Sequence, residues 1–231
     1  MRKLRWLVGA ALVLLLAAGG CTTIRPTGPP TTRTPVIFVH GWSANPSTWD
    51  TAVSTFRNAG YGSGDITVLS YDSGLSARDA AQQLAAEVDY LRSYTGRAKV
   101  DVVSHSYGSM VTKYCIELGS CAGKVAHWMS LAGADNGTLF ALACSSFQAS
   151  CADMAGQTTT VADLQAAWPQ VVSQGVKVEV QWSPNDGIII PAESSREPAP
   201  ATNVQLTGSQ AHLDIPDDPG VLAETIAFFR R

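Results

Sequence analysis

The segment Val100-Asp-Val-Val-Ser104-His105-Ser106-Tyr107-Gly108 drives a β-branched run into a turn of small residues, and a helical pattern follows. A hydroxyl at the tip of such a strand–turn–helix is presented to solvent. The helix behind it aims main-chain N–H groups and a positive dipole end at charge that develops in front. That arrangement suits acyl transfer with Ser106 as nucleophile. The turn is tight, so the positions two before and two after the nucleophile must be small. Gly108 meets this, and Ser104 stands where glycine is usual. S-x-S-x-G alone recurs by chance, so its partners must decide the matter.

Acyl transfer needs two main-chain donors for the oxyanion of its tetrahedral intermediate. Tyr107, the residue after the nucleophile, supplies one. The apolar run Val36-Ile-Phe-Val39 ends in His40-Gly41-Trp42-Ser43. Gly41 would let that backbone swing close, and the Trp42 N–H would be the second donor. The indole of Trp42 can meanwhile lie on the core or on substrate.

The general base comes from four histidines. His40 belongs to the oxyanion loop, His105 to the turn, and His127 to the interior of a strand, where it serves packing. His212 lies in a loop between the last strand and the last helix, from which it can reach over the sheet edge. It is the expected base. Asp186, in the Asn-Asp-Gly turn after a strand, is the expected acid that orients it. Asp135, which ends the preceding strand, is a rival. Asp153 and Asp163 are assigned to a loop excursion and a helix start.

Short Val/Ile runs alternate with longer helical patterns from Pro35 onward. Strands are expected at Pro35–Val39, Asp65–Tyr71, Val100–Ser104, Lys124–Leu131, Val176–Trp182 and Asn203–Leu206. Helices are expected at Pro46–Asn58, from the Ser76 cap to Tyr94, after Ser106 to Leu118, and at Val221–Arg231. This is an α/β chain with a mostly parallel sheet of about six strands and helices on both faces. The stretch Ala134–Val161 breaks the rhythm and is expected to lie above the sheet, with no room for a large cap domain.

Arg2, Lys3 and Arg5 precede the apolar run Trp6–Ala18, and small residues follow to Cys21. Residues 1–20 read as a signal for export. Cys21 resembles the lipidated cysteine of a bacterial lipobox, although Ala18 stands where leucine is usual. Export places the protein outside the cell or anchored to the outer face of its membrane. Residues 21–34, rich in Thr and Pro, are expected as an extended tether, and residues 35–231 as the catalytic domain. The formal net charge of −3 leaves no basic footprint, which excludes nucleic acid as a partner. Cys115, Cys121, Cys144 and Cys151 remain after Cys21. An even number in an exported chain implies two disulfides. Three pairings are open, and the local one, Cys115–Cys121 with Cys144–Cys151, is expected.

Together PVIFVHGWS, VDVVSHSYGS, SLAGADNGT, WSPNDG and GSQAHL resemble the α/β-hydrolase superfamily, and more narrowly the small secreted bacterial lipases of class 2, including the lid-poor Bacillus type. The resemblance implies a serine hydrolase acting on carboxylic esters of lipids, with Ser106, Asp186 and His212 as triad and Trp42 and Tyr107 as oxyanion donors. It implies no metal and no organic cofactor. Trp42, Phe140 and Leu142 are expected to wall the acyl site of a monomer. Activity is expected to fall in acid, as the imidazole base takes up a proton. The same machinery would serve an acyltransferase, a polyester depolymerase or a phospholipid acyl hydrolase. A lipid-binding lipoprotein without catalysis is the non-enzymatic rival.

Overall fold

The computed structural model describes residues 22–231; the expected export signal and Cys21 lie outside them. Six strands form one sheet in the order β2-β1-β3-β4-β5-β6, and every neighbouring pair is parallel. They are β1 (Val36–Val39), β2 (Ile66–Leu69), β3 (Val100–His105), β4 (Val125–Leu131), β5 (Lys177–Trp182) and β6 (Thr202–Gln205). Helices α1 (Asp50–Asn58), α2 (Ala77–Thr95), α3 (Tyr107–Glu117), α4 (Ala149–Met154), α5 (Thr159–Ser173) and α6 (Pro219–Phe228) cover it.

Strand β1 shows why the run is continuously apolar. Val36 and Phe38 enter the layer with Trp49 and with α1 and α6, while Ile37 and Val39 enter the layer with α2, α3 and α5. Successive side chains point to opposite faces, so a strand covered on both sides must be apolar at every position. Phe38 meets Phe56 edge-on at 5.1 Å and Trp49 at 5.2 Å. Burial of each such ring stabilises the fold by about 1.5–3 kcal/mol.

Helix α2 begins where its cap predicts. Ser76 Oγ accepts from Asp79 N at 3.2 Å and donates to Asp79 Oδ2 at 2.9 Å. Gly96 closes it in the left-handed region at φ 66°. Helix α5 was expected only as a helix start near Asp163; it begins at Thr159. Thr158 caps it, Pro169 lies inside it, and Leu164, Trp168 and Val171 bury its inner face. Disulfides join Cys115 to Cys121 and Cys144 to Cys151, the local pairing. The second ties the excursion above the sheet into a closed loop.

The expected tether is corrected. Residues 22–34 lie along the body: Ile24 bridges Val68 of β2 in antiparallel sense, and Arg25 pairs with Glu87 of α2. Proline and threonine disfavour a helix, but an unpaired sheet edge supplies main-chain partners that composition does not reveal.

The strand order reverses between β1 and β3. In open parallel sheets the crevice at the carboxyl ends of the strands flanking that reversal is where ligands bind. Here the loop after β1 carries Gly41 and Trp42, and the turn after β3 carries Ser106.

Candidate active site

Ser106 adopts φ 56° and ψ −128° at the junction of β3 and α3. This strained region costs a non-glycine residue about 1–3 kcal/mol and persists only where surroundings enforce it. Its N–H donates to Leu131 O at 3.1 Å, and its carbonyl accepts from Ser109 N and Ala134 N, both at 3.0 Å. Two glycines weld the turn to the loop after β1. A Cβ on Gly108 would sit 2.5 Å from the carbonyl oxygens of both Val39 and His40, and one on Gly41 would sit 2.8 Å from Ser106 Cβ. No side chain fits either gap. Ser104, two residues before Ser106, holds its hydroxyl in bonds to other elements. It accepts from Trp128 Nε1 at 2.8 Å and shares a bond with Ser109 Oγ at 3.0 Å.

Tyr107 is the first residue of α3, so its N–H is among those a helix leaves without an intrahelical acceptor. Gly41 to Ala44 form a turn closed by Ala44 N to Gly41 O at 3.4 Å, with Trp42 inside it. Ser43, at φ 55°, donates its N–H to Ser73 Oγ at 2.9 Å. The Trp42 indole N–H donates to Gln148 Oε1 at 3.0 Å, which ties the excursion to this loop.

His212 Nδ1 meets Asp186 Oδ2 at 2.8 Å. A carboxylate accepts, so Nδ1 carries the proton and Nε2 is left bare to take another. Asp186 is fixed in turn: its Oδ1 accepts from Ile188 N at 2.9 Å and Ile189 N at 2.6 Å, and its carbonyl accepts from His212 N at 3.0 Å. Among the described residues no hydrogen bond joins Ser106 Oγ to His212, although both line one cavity. Such contacts commonly tighten only when substrate fills the site.

The rival carboxylate lies elsewhere. Asp135 is buried, with its Oδ2 accepting from Ser130 Oγ at 2.6 Å. Behind it Lys113 and Glu197 form a fully buried pair at 2.6 Å. Burial, with Glu197 adding to it, pushes Asp135 well above the carboxylate range. His127 pairs with Asp101 at 2.7 Å within the strands, as a packing histidine would. His40 donates from Nδ1 to Gly41 O at 2.9 Å and stacks on Tyr71 at 4.5 Å. Asp153 ties the excursion to α2 by accepting Ala77 N at 2.6 Å.

Sequence reasoning passed over His105. Its Nε2 lies 3.0 Å from the His212 carbonyl, and its ring lies 4.5 Å from the His212 ring. Burial, then the nearby His212, hold its pKa well below the ordinary imidazole value. It is therefore a neutral donor.

The cavity over Ser106 has a volume of about 420 Å³. Trp42, Phe140, Met154, Ile188, Ile189 and Leu213 give it an apolar wall. Leu142 is corrected: among the described residues it is not part of the wall but stands 57% exposed on the loop outside. Residues 139–143 form a 3-10 helix, with three residues per turn, so side chains two apart point in different directions. Met154, Ile188 and Ile189 were not anticipated.

A six-stranded parallel sheet with a strained serine between β3 and α3, and a histidine–aspartate pair at the same edge, defines an α/β-hydrolase. The profile of the class 2 lipases matches residues 33–205, about three quarters of the sequence, and ends before His212. The chain belongs to the class 2 lipase family, a family of lipolytic ester hydrolases. No curated protein matches the sequence. Among solved structures, the Bacillus licheniformis lipase BlEst2 in its mature form is 18% identical with a TM-score of 0.68, over 90% of this chain and 96% of that one. Its propeptide form gives 18% and 0.74 over 90% and 52%. Aspergillus fumigatus lipase B gives 16% and 0.75 over 88% and 56%. The chain thus spans about half the length of the latter two, and at these identities the likeness is one of fold.

Proposed function

We propose that the protein is a serine hydrolase that cleaves carboxylic esters of lipids through an acyl-enzyme on Ser106. The observation that carries this reading is the 2.8 Å contact of His212 with Asp186 at the rim of the apolar cavity that holds Ser106. His212 Nε2 takes the proton of Ser106 Oγ as that oxygen attacks the ester carbonyl. Asp186 holds the imidazole in the needed tautomer and stabilises its cation. The Trp42 and Tyr107 N–H groups receive the oxyanion. The protonated His212 returns the proton to the departing alcohol, and water, activated by the same nitrogen, frees the acid. Two main-chain bonds on Asp186 Oδ1 and the neutral His105 favour a single orientation of the pair.

The wall of Trp42, Phe140, Met154, Ile188 and Ile189 suits an acyl chain better than a polar metabolite. With the leading basic and apolar residues, an exported enzyme whose Cys21 carries lipid completes the reading. A fluorophosphonate probe tests it directly. The wild type is expected to be labelled and Ser106→Ala not, with hydrolysis of nitrophenyl butyrate lost in parallel. A folded wild type that takes no label would favour a binding protein.

A further inference from the structure

The direction of residues 22–34 along the body has a consequence for where the site faces. Ile24 and Val68 exchange both main-chain bonds at 2.9 Å in antiparallel sense. Thr23 Oγ1 accepts from Ser70 N at 3.0 Å, beyond the end of β2. Further along the strap, Arg25 is held by Glu87 at 3.1 and 2.5 Å, and the Tyr94 hydroxyl donates to Gly28 O at 2.9 Å. Thr31 then donates from N and Oγ1 to Asp65 at 2.8 and 2.6 Å, just before β2 begins. The segment therefore runs down the whole outer edge of β2, against its direction. Whatever precedes Thr22 leaves from the carboxyl edge of the sheet.

That is the edge at which the Ser106 cavity opens. Residues just past β2 touch the site: the Tyr71 hydroxyl donates to His40 O at 2.7 Å, and Ser73 holds Ser43. Phe140 and Leu213 line the cavity, Leu139 and Leu142 are exposed on the same loop as Phe140, and Phe147 is 76% exposed within the loop closed by Cys144–Cys151. The sequence from Asn136 to Ala152 contains no charged residue. A surface of this kind has no ionic charge to desolvate at the acyl boundary of a bilayer, and its exposed apolar side chains gain there. A free tether of thirteen residues could span about 45 Å and let any face turn to the membrane. A docked one leaves Cys21 one peptide from Thr22, about 3.8 Å between Cα atoms.

We propose that in the anchored protein the docked segment fixes the carboxyl edge against the membrane that holds the lipid of Cys21. Phe140, Leu142, Phe147 and Leu213 enter the interface, and the Ser106 cavity draws its ester from that same bilayer. The proposal rests on the hydrolase reading above and on lipidation of Cys21.

The test uses the full-length lipidated protein in vesicles of phosphatidylethanolamine and phosphatidylglycerol, compared with soluble Cys21→Ala by amide hydrogen exchange. Protection is expected over residues 139–148 and around Leu213, with none over 62–64 or 119–124 at the opposite edge. Ile24→Pro, which removes one bond to Val68, and Phe147→Glu should each lower hydrolysis of vesicle lipid at least fivefold. Both should keep soluble nitrophenyl butyrate turnover within twofold. Protection at the opposite edge or nowhere, vesicle hydrolysis unchanged in both variants, or a mature Cys21 without diacylglycerol by intact mass would each overturn the proposal. Edge-specific protection in a protein that hydrolyses no soluble ester would instead count against the hydrolase reading and leave the orientation standing.

Discussion

His105 Nε2 lies 3.0 Å from the main-chain carbonyl of His212, and the two rings are 4.5 Å apart. The carbonyl only accepts, so His105 carries its proton on Nε2 and donates. The residue before Ser106 thus holds the loop that carries His212. Burial keeps it neutral, so in the proposed mechanism no second cation would face a protonated His212. His105→Ala is expected to lower kcat by about 10–100-fold, since slight misplacement of reacting groups costs up to about 100-fold. KM should change little, and His105→Gln, which keeps a donor, should recover part of the loss. Steady-state kinetics on the folded variants decide this; a fall in Tm with unchanged kcat would mean that His105 serves packing alone.

The two carboxylates separate by mutation. Asp186→Asn removes the group that fixes the His212 tautomer and should reduce kcat by about 10⁴-fold. Asp135→Asn touches Ser130 and the Lys113–Glu197 pair, not His212, and should change kcat of the folded protein by less than about tenfold. The opposite ranking would move the acid to Asp135.

Ser104 in place of glycine has an energetic signature. Ser104→Ala leaves the buried Trp128 Nε1–H without its 2.8 Å acceptor. An unpaired buried donor costs about 1–3 kcal/mol. Urea unfolding should show a loss of that size, with labelling of Ser106 in the native state unchanged.

Glu117 ends α3, where the helix dipole disfavours a negative charge. Burial pushes its carboxyl up to about 9, against the opposing influence of Lys113. The folded value exceeds the unfolded one. The contribution to stability is therefore complete below the ordinary carboxylate range and is lost as pH rises towards 9. Glu117→Gln removes this slope. Its Tm should exceed that of wild type increasingly from pH 5 to pH 9, reaching at least about 2–4 °C, or about 1 kcal/mol in a domain of this size. Parallel Tm curves for the two proteins would contradict it.

The elements most legible in the sequence were those whose environment is uniform. Strand β1 is apolar at every position because both faces are covered, and Ser76 and Gly96 mark α2 through local bonds that need no partner elsewhere. Ser106, Gly41 and Gly108 were legible because the turn admits few residue types. What escaped depends on distant chain. The strap finds Val68, Glu87 and Asp65 only after the sheet exists. His105 gains its partner only when the loop of His212 folds back over the turn. Leu142 stands outside the wall because the three-residue turn of a 3-10 helix points it away from Phe140.

Ile24 also closes the outer rim of β2. A chain shortened to begin at Pro35 would bare the main-chain donors and acceptors of that strand, as a template for a second copy. Such a truncated protein should pair rim to rim with a second copy as its concentration rises, a closed dimer that the natural segment would prevent.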